Sequence, residues 1–196
     1  MLLGRVIKVH RDMVECLYLE KIIKTAVSGR FKYTTTGSAD YPSVGDYVIF
    51  TLSDDIGVIH KVCSRYSELS RQDVGGSSNR QVMASNVDQV FICISLNNDF
   101  NLKKINQFIA MVYSSNAVPI VLLTKRDLCS DVESKIELVR QIDEMGIYPI
   151  SVLNKEDVNI LRELVKDKTS VFLGASGVGK SSIVNSIIGE PVLKTS

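Results

Sequence analysis

The sequence has no long apolar run and no marked excess of charge of either sign. A helix that spans a bilayer needs about 20 consecutive apolar residues, and no apolar run in this sequence comes near that length. The first residues, MLLGRVIKVH, include no extended apolar core, so we expect no secretory signal peptide. Lys and Arg number 23 and Asp and Glu 22, and the net charge of +1 points to no particular class of partner.

Cysteine is also scarce, and its spacing argues against the usual metal-binding role. The four cysteines are Cys16, Cys63, Cys93 and Cys129, and no two of them form a C-x-x-C pair. Zinc sites favour such closely spaced ligands, so a four-cysteine zinc site is not expected. Three of the cysteines lie in apolar runs, where a free thiol behaves as a small apolar side chain. These features predict reduced thiols and a cytoplasmic protein.

The composition itself is globular, with 45% hydrophobic and 23% charged residues. Over residues 1–72, short β-branched runs alternate with turn residues, and one long loop is expected over 30–45. Short strands at this spacing indicate a small barrel or a sandwich, and five of them in about 65 residues favour an OB-type β-barrel. The predicted strands are Gly4–His10, Met13–Leu19, Lys21–Ser28, Asp46–Leu52 and Ile56–Cys63.

The pattern changes after a glycine- and serine-rich stretch, and we place a domain boundary near residue 72. In the second domain, over 73–196, four apolar runs alternate with four helical patterns, which predicts a parallel α/β sheet with right-handed crossovers. Asn154 and a Ser130-x-x-Glu133 capping box are predicted helix starts. The predicted strands are Val90–Ser95, Pro119–Thr124, Tyr148–Val152 and Thr169–Leu173.

The most specific motif matches the phosphate-binding pattern G-x-x-x-x-G-K-[ST] at every fixed position, between a buried strand and an amphipathic helix. Loop amides at a helix N-terminus favour phosphate oxygens. Lys180 should reach the β- and γ-phosphates, Ser181 should ligate Mg²⁺, and Ser182 should contact the α-phosphate. The alternative is a glycine-rich turn that binds nothing. The predicted phosphate-binding residues are Gly174, Ala175, Ser176, Gly177, Val178, Gly179, Lys180, Ser181 and Ser182, with Lys180 and Ser181 as the catalytic pair.

A second motif, Thr124-Lys125-Arg126-Asp127, directly follows a predicted strand, where GTPases carry their guanine reader. The Asp127 carboxylate can accept hydrogen bonds from guanine N1–H and the exocyclic amine, and adenine offers neither donor in that arrangement. The stem of Lys125 can lie across the base, and Arg126 is expected to face outward. Thr124 stands where Asn is usual, and its hydroxyl offers one hydrogen bond where an amide offers two or three. The alternative is an ordinary polar turn.

A third strand end carries Ser151 and Val152, the position at which GTPases present a backbone N–H to guanine O6. Ordinary GTPases place the phosphate motif before the guanine reader. Here Asp127 comes 47 residues before Gly174, so one pocket can form only if the chain is circularly permuted.

On these residues the sequence resembles the ribosome-small-subunit-dependent GTPase A family, whose members are circularly permuted GTPases. Glu68-Leu69-Ser70-Arg71 at the domain junction and the stretch 84–90 also match the family. The resemblance implies GTP hydrolysis stimulated by the small ribosomal subunit, with GTP, GDP and Mg²⁺ as ligands. It also implies a role in late small-subunit maturation and an OB barrel that contacts ribosomal RNA.

The family pattern continues into a switch loop, a D-x-P-G motif and a zinc-binding C-terminal domain, and none of these occurs in the 196 residues. The sequence therefore predicts a GTPase domain that is incomplete at its C-terminus, with zinc confined to the domain not present here. Two functions stay open: a GTPase of the small subunit, or a non-catalytic RNA-binding module with a vestigial nucleotide domain. We expect a monomer with no membrane partner.

Cations and aromatic residues alternate in the long barrel loop, at Arg30, Phe31, Lys32 and Tyr33. OB barrels bind nucleic acid through base stacking and phosphate contacts. The residues alone fit RNA contact and barrel packing equally, because Phe31 and Tyr33 could instead close the core. The family resemblance favours RNA, with Arg30, Lys32 and Tyr33 as the predicted contacts.

Overall fold

A computed structural model of the protein describes residues 1–11, 13–35, 37–72, 80–97 and 100–195. The chain divides into two compact units, Met1–Val87 and Asp88–Ser196. No helix within the described ranges is both long and apolar enough to cross a bilayer.

The first unit contains a closed five-stranded barrel, as the sequence predicted. Its strands follow the order β1-β2-β3-β5-β4, with β3 and β5 parallel and the other pairs antiparallel. Apolar side chains alternate inward along the strands and form a core around Phe50 and Ile59, both fully buried. The strands are β1 (Leu2–Val9), β2 (Val14–Tyr18), β3 (Lys21–Val27), β4 (Tyr47–Ser53) and β5 (Ile56–Val62).

The segment between β3 and β4 is not simply a loop, which corrects the sequence prediction. A short helix, α1 (Gly29–Thr34), follows β3, and a 3-10 turn follows at Ser38–Asp40. The Ser28 hydroxyl caps α1 by accepting a hydrogen bond from the Phe31 N–H at 3.1 Å. Phe31 is buried and holds the helix against the barrel. A six-residue helix shows too few turns for an apolar period to be visible in sequence.

A hairpin extends the first unit beyond the barrel. It consists of β6 (Glu68–Gln72) and β7 (Arg80–Ser85), paired antiparallel. The Ser85 N–H donates to the Val44 carbonyl at 2.9 Å, and a Cβ on Gly45 would lie only 2.0 Å from the Ser85 carbonyl oxygen. This close packing groups the hairpin with the barrel, so the compact unit ends at Val87, whereas the sequence placed the boundary near residue 72.

The second unit is a parallel α/β sheet with strand order β10-β9-β8-β11. All seven residues of β8 are buried, because this strand has neighbours on both edges and covered faces. The elements are β8 (Gln89–Ser95), α2 (Leu102–Tyr113), β9 (Val118–Thr124), α3 (Val132–Arg140), β10 (Gly146–Ile150), α4 (Lys155–Val165), β11 (Ser170–Leu173) and α5 (Lys180–Ile188).

One predicted helix start is confirmed and one is wrong. Asn154 caps α4, since its Oδ1 accepts from the Glu156 and Asp157 amides at 2.8 and 3.2 Å. The capping box at Ser130 is not formed: α3 begins at Val132, and Asp131 occupies the cap position without a side-chain capping bond. Glu133 then falls one residue too early in the first turn to reach back to the cap.

Because all four strands of the second unit are parallel, their carboxyl ends meet at one edge of the sheet. Ligand sites of open α/β sheets form at this edge. Each predicted nucleotide motif follows one of these strand ends.

Candidate nucleotide-binding site

The phosphate motif leaves β11 in a tight turn against β8. Gly174 has φ 155°, and a Cβ there would lie 2.4 Å from the Cys93 carbonyl oxygen, so no larger residue fits. Gly179, with φ 100°, occupies the cap position at the start of α5. The loop therefore ends at a helix N-terminus, where backbone amides and the helix dipole attract anions.

Lys180 reaches back over this loop. Its Nζ donates to the carbonyl oxygens of Gly174 and Ala175 at 2.9 and 2.6 Å. Beneath the loop, burial raises the pKa of the Cys93 thiol to about 12, and the nearby Lys180 ammonium opposes that rise only in part. Cys93 is therefore an inert thiol of the core.

The base motif contacts the phosphate loop directly. The Thr124 hydroxyl at the end of β9 donates to the Val178 carbonyl at 2.6 Å, with the Ile94 carbonyl at 3.4 Å. Lys125 Nζ donates to the Gly177 carbonyl at 2.9 Å. Lys125 has φ 57°, a left-handed conformation that is uncommon outside glycine and is often found at functional sites. These bonds join residues of the two motifs that lie more than 50 positions apart in sequence.

Arg126 does not face freely outward, which corrects the sequence expectation. Its Nε donates to Asp157 Oδ2 at 2.6 Å, and the same oxygen accepts from the Ser151 N–H at 2.7 Å. Asp157 lies in the first turn of α4 and is buried. It therefore ties the turn after β9 to the turn after β10. Sequence reasoning missed Asp157, although its place in a capped first turn, three residues after Asn154, was visible.

Two adjoining cavities line this edge of the sheet. One, of about 350 Å³, follows the phosphate loop, and the other, of about 210 Å³, lies between the base motif and the turn after β10. They share Lys125, Gly179 and Ser182, so an elongated ligand can occupy both. The smaller cavity is lined by Thr124, Lys125, Asp127, Ile150, Ser151, Val152, Leu153, Val178, Gly179, Ser182 and Ile183.

Two buried polar atoms at the end of β8 were not anticipated from sequence. Ser95 Oγ and Asn97 Oδ1 have no hydrogen-bond partner among the described residues. Ser95 pairs in register with Thr124, so both side chains lie at the sheet edge that carries the motifs. A small polar residue after an apolar run was the only sequence signal for them.

The predicted RNA contacts lie in the other unit. Tyr33 is 91% exposed, and Arg30 and Lys32 are also exposed, whereas Phe31 is buried and packs edge-on against Tyr41. The two aromatic residues, Phe31 and Tyr33, thus have different surroundings, and only Phe31 fits the core-packing alternative.

All four cysteines are free thiols. Within the described ranges, no cluster of three or more His, Cys, Asp or Glu side chains could hold a metal ion.

A sequence model described as RsgA GTPase matches residues 62–196, a stretch that includes every nucleotide motif. The chain belongs to the RsgA GTPase family. This confirms the resemblance read from the permuted motif order.

Curated relatives of the RsgA family cover nearly the whole chain. It is 34% identical over 201 residues to the small ribosomal subunit biogenesis GTPase RsgA 2 of Lactiplantibacillus plantarum, covering 99% of this chain and 56% of that protein. It is 32% identical over 198 residues to the RsgA of Methanosarcina acetivorans, covering 99% of this chain and 53% of the relative. The chain thus spans about half the length of these RsgA proteins.

Solved structures that cover nearly all of the chain share its fold. The crystal structure of YjeQ from Thermotoga maritima superposes with a TM-score of 0.76 at 26% identity, covering all of this chain and 67% of that one. The structure of YloQ, described as a circularly permuted GTPase, gives a TM-score of 0.70 at 25% identity, covering 95% and 63%. These matches confirm the predicted fold class, a barrel followed by a permuted α/β domain.

Proposed function

We propose that this chain binds guanine nucleotides and acts, in the cytoplasm, as the nucleotide-binding part of a GTPase in small ribosomal subunit biogenesis. The observation that carries the proposal is the pair of hydrogen bonds from Thr124 and Lys125 to the phosphate loop. They bring a guanine-type base motif and a phosphate motif into adjoining cavities. The names of the RsgA relatives supply the biological setting.

The residues of the larger cavity suit a nucleoside polyphosphate. Phosphoryl transfer is catalysed mainly by positioning and charge stabilisation. The loop amides and Lys180 would bind the phosphate oxygens. Ser181 lies in the first turn of α5 and lines this cavity, so its hydroxyl is placed to supply one oxygen ligand to Mg²⁺. Mg²⁺ prefers such oxygen donors, and when bound it neutralises charge on the phosphates.

The smaller cavity suits a purine base. Asp127 is exposed along its wall, where its carboxylate would accept from the two donors of guanine. The Ser151 N–H is already bonded to Asp157, so the backbone donor to guanine O6 would be the amide of Val152. The stem of Lys125 spans both cavities and would cover the base.

Nucleotide specificity tests the base assignment. We expect GDP to bind more tightly than ADP in calorimetry, because only guanine offers both donors to Asp127. Asp127→Asn should shift the preference towards xanthosine diphosphate, since the amide supplies a donor to xanthine O2. Asp131→Asn is a matched control on an exposed carboxylate nearby. Equal affinity of the unmodified chain for GDP and ADP would contradict the assignment.

The two motif lysines test the phosphate assignment. Lys180→Ala should weaken GDP binding by about 1.5–3 kcal/mol for each charge-assisted bond lost. Lys125→Ala should cost less, because Lys125 contributes mainly packing on the base. Guanosine binding should fall only in the Lys125 variant. Equal losses of GDP affinity in both variants would require a different phosphate site.

A second candidate function is nucleotide and RNA binding without hydrolysis. The observation in its favour is the exposed cationic and aromatic face of α1 in the barrel unit, with Arg30, Lys32 and Tyr33. GTP turnover, measured with and without purified small ribosomal subunits, separates the two functions. The full-length L. plantarum relative serves as the positive control. Stimulated turnover by this chain supports hydrolysis, and GDP binding without turnover supports the second function.

We also propose that residues 1–72 contact ribosomal RNA through the exposed face of α1. Arg30 and Tyr33 lie three residues apart and so share one face of the helix. Arg30→Ala with Lys32→Ala should flatten the salt dependence of RNA binding, whose slope is about −0.7 per single-strand phosphate neutralised. Tyr33→Ala should lower affinity at every salt concentration by roughly 1–3 kcal/mol if a base stacks on it.

The turn between β1 and β2 offers a different cationic surface and so provides the comparison. Lys8, Arg11 and Lys24 are exposed around it. OB barrels often use this loop for nucleic acid. Lys8→Ala with Lys24→Ala is therefore the matched control for the α1 variants. An altered salt slope in this control, with no change in the α1 variants, would move the RNA contact to the β1–β2 turn.

A further inference from the structure

The chain folds back on itself after α5. The helix ends at Ile188, and the next residue, Gly189, has φ 87° and donates its N–H to the Asn185 carbonyl. The Val192 N–H then donates to the Glu190 carbonyl at 2.9 Å, within the turn. Beyond this turn, the last described residues approach α5 again.

Asn185 fixes the returning segment. Its Oδ1 accepts from the Leu193 N–H at 2.9 Å, and its Nδ2 donates to the Leu193 carbonyl at 2.8 Å. The carboxamide thus satisfies both backbone polar groups of one residue, as a neighbouring β-strand would. Two bonds to one residue hold the segment in register with the helix, whereas a single bond would allow it to pivot.

This clamp places the next two residues beside the phosphate loop. Ser181 lies four residues before Asn185, or about 6 Å along the helix axis. Two residues of extended chain beyond Leu193 cover about the same distance. Lys194 and Thr195 accordingly line the 350 Å³ cavity together with Ser181.

The charge of this cavity is one-sided. Its nine lining residues include three lysines and no acidic residue. Lys125 and Lys180 direct their ammonium groups to carbonyl oxygens of the loop. The Lys194 ammonium forms no hydrogen bond or ion pair with the part of the chain that the structure describes, and its side chain is exposed. It is therefore a cation available to a ligand.

We propose that Lys194 is a third cation of the nucleotide site, which binds phosphate oxygens beside the loop, and that Asn185 is the positioning residue that holds it there. This inference rests on the proposed binding of guanine nucleotides. It adds a contact that the phosphate motif itself does not contain.

The test is calorimetric titration of the chain with GDP at low and high salt. Lys194→Ala should lower GDP affinity about three- to tenfold, between the effect of an exposed ion pair and that of a charge-assisted hydrogen bond. The loss should shrink as salt is added, because the contact is exposed. Lys194→Arg should retain affinity. Guanosine, followed by NMR shifts, should bind Lys194→Ala and the unmodified chain equally.

Asn185→Ala should lower GDP affinity by a similar factor, and the double variant should lose little more than either single one, since both changes remove the same contact. Lys103→Ala, on the exposed face of α2, is the matched control. If Lys194→Ala binds GDP as Lys103→Ala does, or loses guanosine binding equally, the inference is wrong. Loss of GDP affinity in Lys180→Ala shows separately that the nucleotide site exists, and no GDP binding by the unmodified chain would overturn both proposals.

Discussion

In each unit of the molecule a buried aspartate pairs with an arginine, and the two pairs differ in how many hydrogen bonds the arginine makes. In the barrel unit, Arg65 donates to both carboxylate oxygens of Asp46, at 2.8 and 2.7 Å, and also to Glu68. In the α/β unit, Arg126 makes one bond to Asp157. The Arg65 side chain is 12% exposed and that of Arg126 is 37% exposed.

The difference follows from what each pair joins. Asp46 also accepts from the Ser85 hydroxyl at 2.6 Å, so the barrel pair fastens the β6–β7 hairpin to the barrel. Burial alone would lower the pKa of Arg65, but its bonds to Asp46 and Glu68 outweigh burial and raise it. The Asp157 pair instead holds two turns that border the base cavity. One pair therefore joins the hairpin to the barrel, and the other borders the cavity proposed for the base.

The largest effect is expected from Arg65→Ala. Removing one partner of a buried pair leaves an uncompensated charge, at a cost of about 3–5 kcal/mol of unfolding free energy. Urea denaturation followed through the NMR signals of barrel amides measures it. Arg71→Ala removes an exposed arginine of β6 and should change little. Equal effects of the two substitutions would show that the Asp46 pair does not stabilise the barrel.

A smaller and more selective effect is expected from Asp157→Asn. The amide keeps the shape but loses the charge that holds Arg126 and the Ser151 N–H, worth about 1.5–3 kcal/mol for a bond to a charged group. Because the two turns border the base cavity, affinity for guanosine and for GDP should fall by the same factor. Glu156→Gln, on the exposed side of the same turn, is the control. A loss confined to GDP would place the effect on the phosphate side.

The same contrast shows how far the sequence predicts the structure. All five barrel strands and all four strands of the sheet were predicted, because apolar alternation and buried runs are local patterns. The phosphate loop and the base motif were also recognisable, since their chemistry requires fixed residues at fixed spacing. The order of the two motifs predicted that the chain is circularly permuted.

What the sequence did not predict is the set of contacts between distant segments. Arg65 reaches Asp46 across 19 positions, and Asp157 reaches Arg126 across 31 positions. No periodicity marks such partners. The boundary near residue 72 differed from the structure for the same reason, because the hairpin joins the barrel through Gly45 and Ser85, which lie far apart in sequence.

A modest effect is expected from Thr124→Val, which removes a hydroxyl at nearly constant shape. The variant loses the bond to the Val178 carbonyl, at about 1 kcal/mol for a typical hydrogen bond. GDP affinity should fall, since this bond joins the base motif to the phosphate loop. Ser95→Ala is the matched control, because its hydroxyl has no partner among the described residues. Unchanged GDP affinity in Thr124→Val would mean that the loop holds its shape without β9.

The smallest effect is expected on the pH dependence of stability, through Glu68, which accepts a hydrogen bond from Arg65 of the barrel pair. Burial alone would raise the pKa of Glu68, but hydrogen bonds from Arg65 and Arg80 outweigh it and hold that pKa below its usual 4.5. A carboxylate whose pKa is lower in the folded state than in the unfolded state stabilises the folded state. This stabilisation is complete at pH values above the unfolded-state pKa, and it is lost as the pH falls through the folded-state pKa. Glu68→Gln should therefore lose less stability than the unmodified chain when the pH drops below about 4.5.

Denaturation midpoints between pH 7 and pH 3 measure the difference. The control is Glu137→Gln, which removes one partner of an exposed ion pair in the other unit. Parallel acid curves for Glu68→Gln and the unmodified chain would contradict the lowered pKa of Glu68 in the folded state.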